Sequence, residues 1–333
     1  MPERLRAGVI GVGTFGSQHA RIYAEHGSVD LVAVADLRTD RLDDLTKRYN
    51  VRAYTDFNDL LNKENLDLVS VCTSDEFHVE PVLSAVNSGV NVLVEKPLAI
   101  TVSDCDNIIR ESDKAGVKLM VGHILRFDPR YYTARQAIAN GQIGNPVHLS
   151  ARRNNLITSA ERLGRHTSVA FFLGIHDVDF MNWCVGSDVE RVYAESNTCA
   201  LKDLGTADSC LALIKFHNGT IASLEVSWIL PLSFTKRLDA QFVVVGTKGA
   251  VYVDGSGQAV EIYLQDESSC PDVMYAPEIG GRYTGILRDE ISHFIECVLS
   301  DRRPAVTGQD GKAAVEVVCA ITESLKTKQP VYL

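Results

Sequence analysis

Three short stretches carry side chains whose types and spacing can do chemistry. The first is Gly8-Val9-Ile10-Gly11-Val12-Gly13-Thr14-Phe15-Gly16. Gly11, Gly13 and Gly16 form a G-x-G-x-x-G that follows an apolar run and opens a helix-like one. In that setting the first glycine permits a tight turn, the second lets a pyrophosphate approach the backbone, and the third lets helix and strand pack closely. The helix start offers N–H groups and the positive end of its dipole to phosphates. Gly11, Gly13, Thr14, Phe15 and Gly16 are therefore the expected phosphate-side contacts of a dinucleotide. The second stretch is Asp36, 20 residues after Gly16 and at the end of the next apolar run. An acid there accepts hydrogen bonds from the ribose of NAD and repels a 2′-phosphate. Arg38 and Arg41 stand close enough to tolerate that phosphate. The expectation is NAD, with NADP also admissible. The third is Val94-Glu95-Lys96-Pro97-Leu98. A lysine at the carboxyl end of a parallel strand lies where such sheets bind ligands. Burial or a neighbouring cation can bring it toward acid–base work. Pro97 restrains Lys96 to an extended backbone and can fix a cis bond.

These groups need elements to hold them. Up to residue 123, Val-, Leu- and Ile-rich runs (Arg6–Gly11, Leu31–Ala35, Leu66–Cys72, Val90–Val94, Val117–Val121) alternate with helical stretches (Ser17–His26, Arg41–Arg48, Val79–Ser88, Ser103–Ala115). The runs lack strict alternation, as strands buried on both faces do. Strand–helix alternation predicts right-handed crossovers and a doubly wound parallel sheet, a Rossmann domain over residues 1–123. Thr73 and Ser74 end the fourth run and are expected to line the cofactor, with His78 capping the next helix or touching cofactor. After Asp128-Pro129 the texture changes. One helix, Pro129–Asn140, ends at Gly141. Then come Val147–Arg153, Val189–Thr198, Ser209–His217, Thr220–Trp228, Asp239–Val245, Ala250–Val253 and Val260–Leu264. Asn218-Gly219 between two of them is a hairpin signal. A mostly antiparallel sheet is expected, in a second α+β domain over residues 124–333 that closes with helices at Ile286–Leu299 and Lys312–Thr327.

With 333 residues, 45% hydrophobic and 23% charged, the chain has ordinary globular composition and suits two domains. A net charge of −10 argues against a nucleic-acid partner. No apolar stretch is long enough for a membrane helix, and the start has no apolar stretch with a cleavage site. The eight cysteines form no C-x-x-C pair, and Cys72, Cys184, Cys210 and Cys319 sit in apolar runs. They read as small buried hydrophobes in a reducing cytoplasm.

The glycine motif, Glu95-Lys96-Pro97, Gly122-His123-x-x-Arg126-Phe127-x-Pro129 and Gly174-Ile175-His176-Asp177-x-Asp179 together resemble the Gfo/Idh/MocA family, named for glucose–fructose oxidoreductase and inositol dehydrogenase. Arg288-Asp289-Glu290-Ile291-x-His293-Phe294 and Pro304-x-x-Thr307-Gly308-x-Asp310-Gly311 are similar too. The resemblance covers essentially the whole chain. It implies NAD(P)-dependent oxidation of a carbinol of a sugar, sugar derivative or cyclitol, or reduction of the ketone. It also implies an open sheet in the second domain and a homodimer or homotetramer. Lys96 would be the catalytic lysine, with Glu95 beside it on the cofactor side, and His176 the histidine that shares the substrate proton. A non-catalytic, NAD-dependent regulatory protein of the same fold is the alternative.

One departure matters. The family commonly has an aspartate four residues before the histidine, and this chain has Phe172 there. The substrate then differs from inositol-like polyols, or catalysis leans on Lys96, or catalysis is lost. Asp177 and Asp179 stand nearby but off the helical face that the spacing defines. Arg152, Arg153, Arg162 and Arg165 concentrate positive charge in an acidic chain, beside Asn154, with Lys236 and Arg237 on a neighbouring loop. Arginine forks suit carboxylates and phosphates. Substrate contacts are accordingly expected from Lys96, Arg126, Arg153, Asn154, Arg165, Phe172, His176 and Lys236. The cluster reads equally as an anionic-substrate site or as interface salt bridges. His123, His176, Asp177 and Asp179 match no zinc spacing, and no metal is expected.

Overall fold

The computed structural model describes residues 4–236 and 238–333. In chain order the elements begin with β1 (Leu5–Ile10), α1 (Thr14–Glu25), β2 (Val29–Ala35), α2 (Thr39–Tyr49), β3 (Arg52–Tyr54) and α3 (Phe57–Lys63). They continue with β4 (Leu68–Val71), α4 (Val79–Asn87), β5 (Asn91–Glu95), α5 (Val102–Ala115), β6 (Leu119–Gly122), α6 (Pro129–Ala139), β7 (Pro146–Leu156), α7 (Ile157–Leu163), α8 (Ile175–Val185), β8 (Val189–Asn197), β9 (Ser209–Phe216) and β10 (Ile221–Leu230). The last are β11 (Leu238–Gly246), β12 (Ala250–Asp254), the two-residue strands β13 (Ile262–Tyr263), β14 (Ser268–Ser269), β15 (Glu278–Ile279) and β16 (Arg282–Tyr283), then α9 (Ile286–Leu299), α10 (Gly308–Thr327) and β17 (Val331–Tyr332).

Two compact units result, one from Met1–His123 with Ala276–Lys312, the other from Ile124–Tyr275 with Ala313–Leu333. This corrects the expected second domain of 124–333, because α9 belongs with the first unit. The physical reason is its apolar stripe. Leu287, Ile291, Phe294 and Ile295 have essentially no exposed surface, and Arg288 reaches Glu25 of α1 at 3.5 Å.

The first unit is an α/β layer structure. Its six strands run in the order β3-β2-β1-β4-β5-β6, and every adjacent pair is parallel. The crossover direction reverses between β1 and β4, the switch point where such sheets bind ligands. Burial of Val9, Val69, Val71, Val92, Leu93 and Val94 explains the unbroken apolar runs. Local chemistry sets the helix ends: the Thr101 side chain accepts the Asp104 N–H at the start of α5, and Gly116 is left-handed at its end. β3 and α3 escaped sequence reading because β3 is a three-residue, largely exposed edge strand and α3 has only two turns.

The second unit carries a seven-stranded sheet ordered β12-β11-β7-β10-β9-β8-β17. All neighbours are antiparallel except β7 and β10. Asn218-Gly219 makes the β9–β10 turn, with Gly219 at φ +94°. One sheet face packs on helices. Along β9, Cys210, Ala212 and Ile214 point inward, whereas Leu211 and Leu213 point outward and are exposed. Phe180 of α8 anchors the inner face, edge-on to Phe242 at 4.7 Å and to Tyr131 at 5.0 Å. Among the described residues, no helix is long and apolar enough to cross a membrane.

Candidate active site

The glycine loop has the geometry that its spacing demands. Gly11 adopts φ +82°, a conformation that side chains avoid. A Cβ on Gly16 would lie 1.8 Å from the Gly11 carbonyl oxygen, so that close approach excludes any other residue. A Cβ on Gly13 would meet nothing nearer than an Arg41 guanidinium nitrogen at 3.6 Å. The backbone at Gly13 is thus open to a ligand. Thr14 and Phe15 begin α1, whose N-terminus has no side-chain cap and no acid in its first turn. A helix start of this kind presents backbone N–H groups and the positive end of its dipole to phosphate.

Asp36 ties this loop to the end of β2. Its Oδ2 accepts the Val12 N–H at 2.8 Å and its Oδ1 the Arg38 N–H at 2.9 Å, with Arg41 Nη1 at 3.5 Å. The carboxylate is held at the carboxyl end of β2 by these contacts. The Arg38 side chain turns to Asp40 and is exposed. After β4, Thr73 donates to the Phe77 carbonyl at 2.9 Å, and Ser74 is exposed. The loop, the helix start and Asp36 fit a dinucleotide.

Lys96 follows β5 directly and is 7% exposed, and the Lys96–Pro97 bond is cis. The strands are parallel, so Lys96 lies on the same edge of the sheet as the glycine loop and Asp36. Its two expected cofactor-side companions are corrected. His78 has no exposed surface. Its ring meets the carbonyl oxygens of Pro97 at 2.6 Å and Thr73 at 3.0 Å, bracing the ends of β4 and β5 from inside. Glu95 turns inward as well: Oε1 lies 3.3 Å from His19 Nε2, and Oε2 accepts the Lys96 N–H at 3.2 Å. Buried charges need partners, and these partners lie inside the unit.

Sequence reasoning missed His19 and gave Glu290 no role. His19 lies on the inner stripe of α1 with Ala20, Ile22 and Tyr23, and Glu290 lies among Leu287, Ile291 and Phe294 on α9. A polar residue on an otherwise apolar helix stripe was the available signal.

In the second unit, His176 is the second residue of α8, half-buried, directly after a turn of π-helix at Ala170–Gly174. Such turns are rare and often mark functional positions. Phe172 lies within it, its ring 6.1 Å from the buried Trp228. The expected roles of Arg126 and Arg153 in substrate binding are corrected. Arg153 forms a two-pronged pair with Asp177 at 2.6 and 3.0 Å, and Arg126 forms one with Asp179 at 2.6 and 2.9 Å. All four side chains are buried. Neither aspartate is therefore available to replace the one absent at Phe172. Asn154 is corrected by strand parity. Arg153 faces the helices, so Asn154 projects from the opposite face of β7, where its Nδ2 donates to Glu225 at 2.9 Å. Asn155 has the parity that Asn154 was expected to have. Arg165 is exposed, Arg152 pairs with Asp239 at 2.8 Å, and Lys236 lies 4.0 Å from Glu261. Arg237 lies outside the described residues. A cavity of about 1060 Å³ opens beyond β7, walled by α7 and the β13–β14 hairpin, with Asn155, Thr158, Arg162, Phe234, Thr235 and Tyr263 in its lining.

The Gfo/Idh/MocA signature, described as an oxidoreductase family with an NAD-binding Rossmann fold, matches residues 5–123. The family's C-terminal domain matches residues 131–252. A myo-inositol 2-dehydrogenase of Thermotoga maritima is 30% identical over 99% of this chain and 98% of its own length. The chain belongs to this family. It is an NAD-dependent dehydrogenase. A scyllo-inositol 2-dehydrogenase (NAD+) of Bacillus subtilis is 26% identical over 100% of the chain and 97% of its own length. The crystal structure of scyllo-inositol dehydrogenase from Lactobacillus casei, with bound NAD(H) and scyllo-inositol, shares the fold at a TM-score of 0.88 and 21% identity, covering 99% of each chain.

Proposed function

We propose that the chain oxidises a ring carbinol of a neutral cyclitol or closely related sugar, reversibly, with Lys96 as the base. The observation that carries this reading is the buried Lys96 on the sheet edge that also presents Gly13 and Asp36. NAD, when bound, supplies the hydride acceptor. Gly13 and the start of α1 hold the phosphates, and Asp36 holds the ribose. Lys96 Nζ takes the hydroxyl proton in oxidation and returns it in reduction. His176 hydrogen-bonds the substrate oxygen and orients it. Thr73 and Ser74 line the cofactor.

Neutrality of the substrate is supported by the loss of two of the candidate substrate-binding cations, since Arg126 and Arg153 already neutralise Asp179 and Asp177. The cavity beyond β7 offers the Asn155 amide and the Thr158, Ser159 and Thr235 hydroxyls to a polyol, with Arg162, Asp266 and Glu267 also in its lining. Phe172, an apolar ring where relatives commonly place a carboxylate, favours a substrate with one fewer hydroxyl contact at that position. In an NADH-absorbance panel, inositols and deoxy-inositols are expected to be turned over at least about tenfold faster, in kcat/KM, than uronates or sugar phosphates, the size of one lost polar contact. Preference for the acidic compounds would overturn the reading.

We also propose a homo-oligomer closed through the open sheet face. Leu211, Leu213, Ile221 and Tyr252 are all more than half exposed there, and exposed apolar patches mark interaction surfaces. Light scattering at micromolar concentration should give a dimer or tetramer, and Leu213→Glu should shift it toward monomer. A wild-type monomer would refute the proposal.

A further inference from the structure

The cavity beyond β7 is larger than a single ring needs. Its volume of about 1060 Å³ matches the top of the range, roughly 300–1,000 Å³, of pockets that bury drug-sized ligands. A cyclitol, one six-membered carbocycle with its hydroxyls, is far smaller than such a ligand. Every lining residue belongs to the stretch 155–270, so the cavity lies wholly within the second unit. Two ends can be told apart. One is the carboxyl end of β7, where Asn155 enters the lining. Arg153 leaves the same face of β7 two residues earlier, and its guanidinium is paired with Asp177, the residue after His176. That end therefore lies toward the histidine. The other end is the β13–β14 hairpin. Ile262 pairs with Ser269 and Tyr263 with Ser268. The Leu264 N–H donates to the Glu267 carbonyl at 2.8 Å, which puts Asp266 and Glu267 in the tip of the turn. Helix α7 adds a wall, because Thr158 and Arg162, four residues apart, share one helical face and both line the cavity.

The chemistry at the hairpin end suits a sugar. Tyr263 is 73% exposed, and its hydroxyl donates to Glu261. A pyranose has an apolar C–H face as well as hydroxyls, and a tyrosine ring offers that face a large, rigid apolar partner. Arg162 only donates hydrogen bonds, ionised Asp266 and Glu267 only accept them, and a sugar hydroxyl does both. An acidic ring, by contrast, would meet two carboxylates for one guanidinium.

We propose that this cavity takes a second, uncharged sugar ring, so that the substrate is a glycoside of a cyclitol. The reacting cyclitol lies toward β7 and His176, and the glycosyl ring lies against α7 and the β13–β14 hairpin. This rests on the cyclitol reading above and names the larger molecule to which the ring belongs. The glycosyl ring is remote from the reacting carbon, so its contacts are made equally in the ground and transition states and act through KM.

The test compares free inositols with a set of inositol monoglucosides, linked in turn through each ring hydroxyl, and with the matching O-methyl ethers. Rates are followed by NADH absorbance on the full-length protein with saturating NAD. At least one glucoside should exceed its parent inositol by about tenfold or more in kcat/KM, the size of a few added polar contacts, chiefly through a lower KM. The methyl ethers should gain nothing, because a methyl group does not reach the hairpin. Tyr263→Ala should cut the glucoside-to-inositol ratio by about three- to tenfold, the worth of one aromatic contact, and Arg162→Ala should cut it as well. A set in which no glucoside outperforms its parent overturns the proposal. So does an equal gain from the methyl ethers, which traces the effect to a lost hydroxyl, or a ratio that both variants leave intact, which puts the second ring elsewhere. Turnover of free inositols without any gain from glucosides defeats this proposal alone. No turnover of either defeats the cyclitol reading and this proposal with it.

Discussion

Lys96→Ala should lower kcat by about two to four orders of magnitude, the range a positioned general base contributes, and should leave NAD affinity almost unchanged. The separation follows from where the groups sit. Gly13, the start of α1 and Asp36 hold the dinucleotide through backbone and carboxylate contacts that do not involve the lysine. Lys96 is placed by β5 and by the inward-turned Glu95. Steady-state rates on the best inositol substrate, with NAD titrated by fluorescence quenching, would check both halves. Weakened NAD binding with normal turnover at saturation would make Lys96 a cofactor residue. Equal losses in kcat and kcat/KM are the expected pattern, because proton transfer belongs to the transition state.

The second large effect concerns stability. Asp177→Ala leaves the Arg153 guanidinium buried without its carboxylate, and breaking a buried pair in this way costs about 3–5 kcal/mol. For a chain of this size that corresponds to a fall in Tm of roughly 10 °C, at 2–4 °C per kcal/mol. Arg153 also donates to Tyr131 OH at 3.2 Å, but a phenol does not neutralise it. Replacing both partners with apolar residues of similar volume should be far milder, since no charge is then stranded. Differential scanning calorimetry of the single and double variants would decide. A single variant that melts within about 2 °C of wild type, equivalent to less than 1 kcal/mol, would show that the pair is not a buried ion pair in solution. Asp179 and Arg126 offer the same test two residues further along α8, where Trp183 also lies under the guanidinium at 5.0 Å.

The first unit was largely legible because its strands are buried on both faces, which leaves unbroken apolar runs, and because G-x-G-x-x-G has a backbone meaning that survives without context. Asp36 and Lys96 were legible for the same reason: each ends a recognisable strand on the functional edge. What escaped were facts about direction. Nothing local says that Glu95 and His78 turn inward, for that depends on His19 from another helix and on the Pro97 carbonyl. The arginine cluster reads two ways in the sequence because adjacency is not shared orientation. Arg152 and Arg153 leave β7 on opposite faces, and the carboxylates that claim Arg126 and Arg153 come from α8, tens of residues away. Asn154 was misread by a single step of strand parity. The placement of α9 failed for a topological reason, since an amphipathic helix announces a buried stripe but not the layer that buries it.

That placement of α9 also governs the order in which the protein can be completed during synthesis. Domains generally fold as units, earliest first, as they leave the ribosome. Here the nucleotide-binding sheet has all six strands once residue 123 has emerged, yet the helix carrying Leu287, Ile291 and Phe294 is still unmade. The sheet must wait with that apolar seat uncovered while the entire intervening stretch 124–275 is translated. That stretch waits as well, because its last contributions come from residues 313–333. The first unit is complete only at residue 312, and the second only with the residues after it. A nascent chain stalled anywhere before α9 is thus a natural client for chaperones that recognise exposed apolar surface. A shortened gene that keeps only the first 123 codons would make an insoluble fragment, whereas one joining them directly to 276–312 would make the complete nucleotide-binding layer.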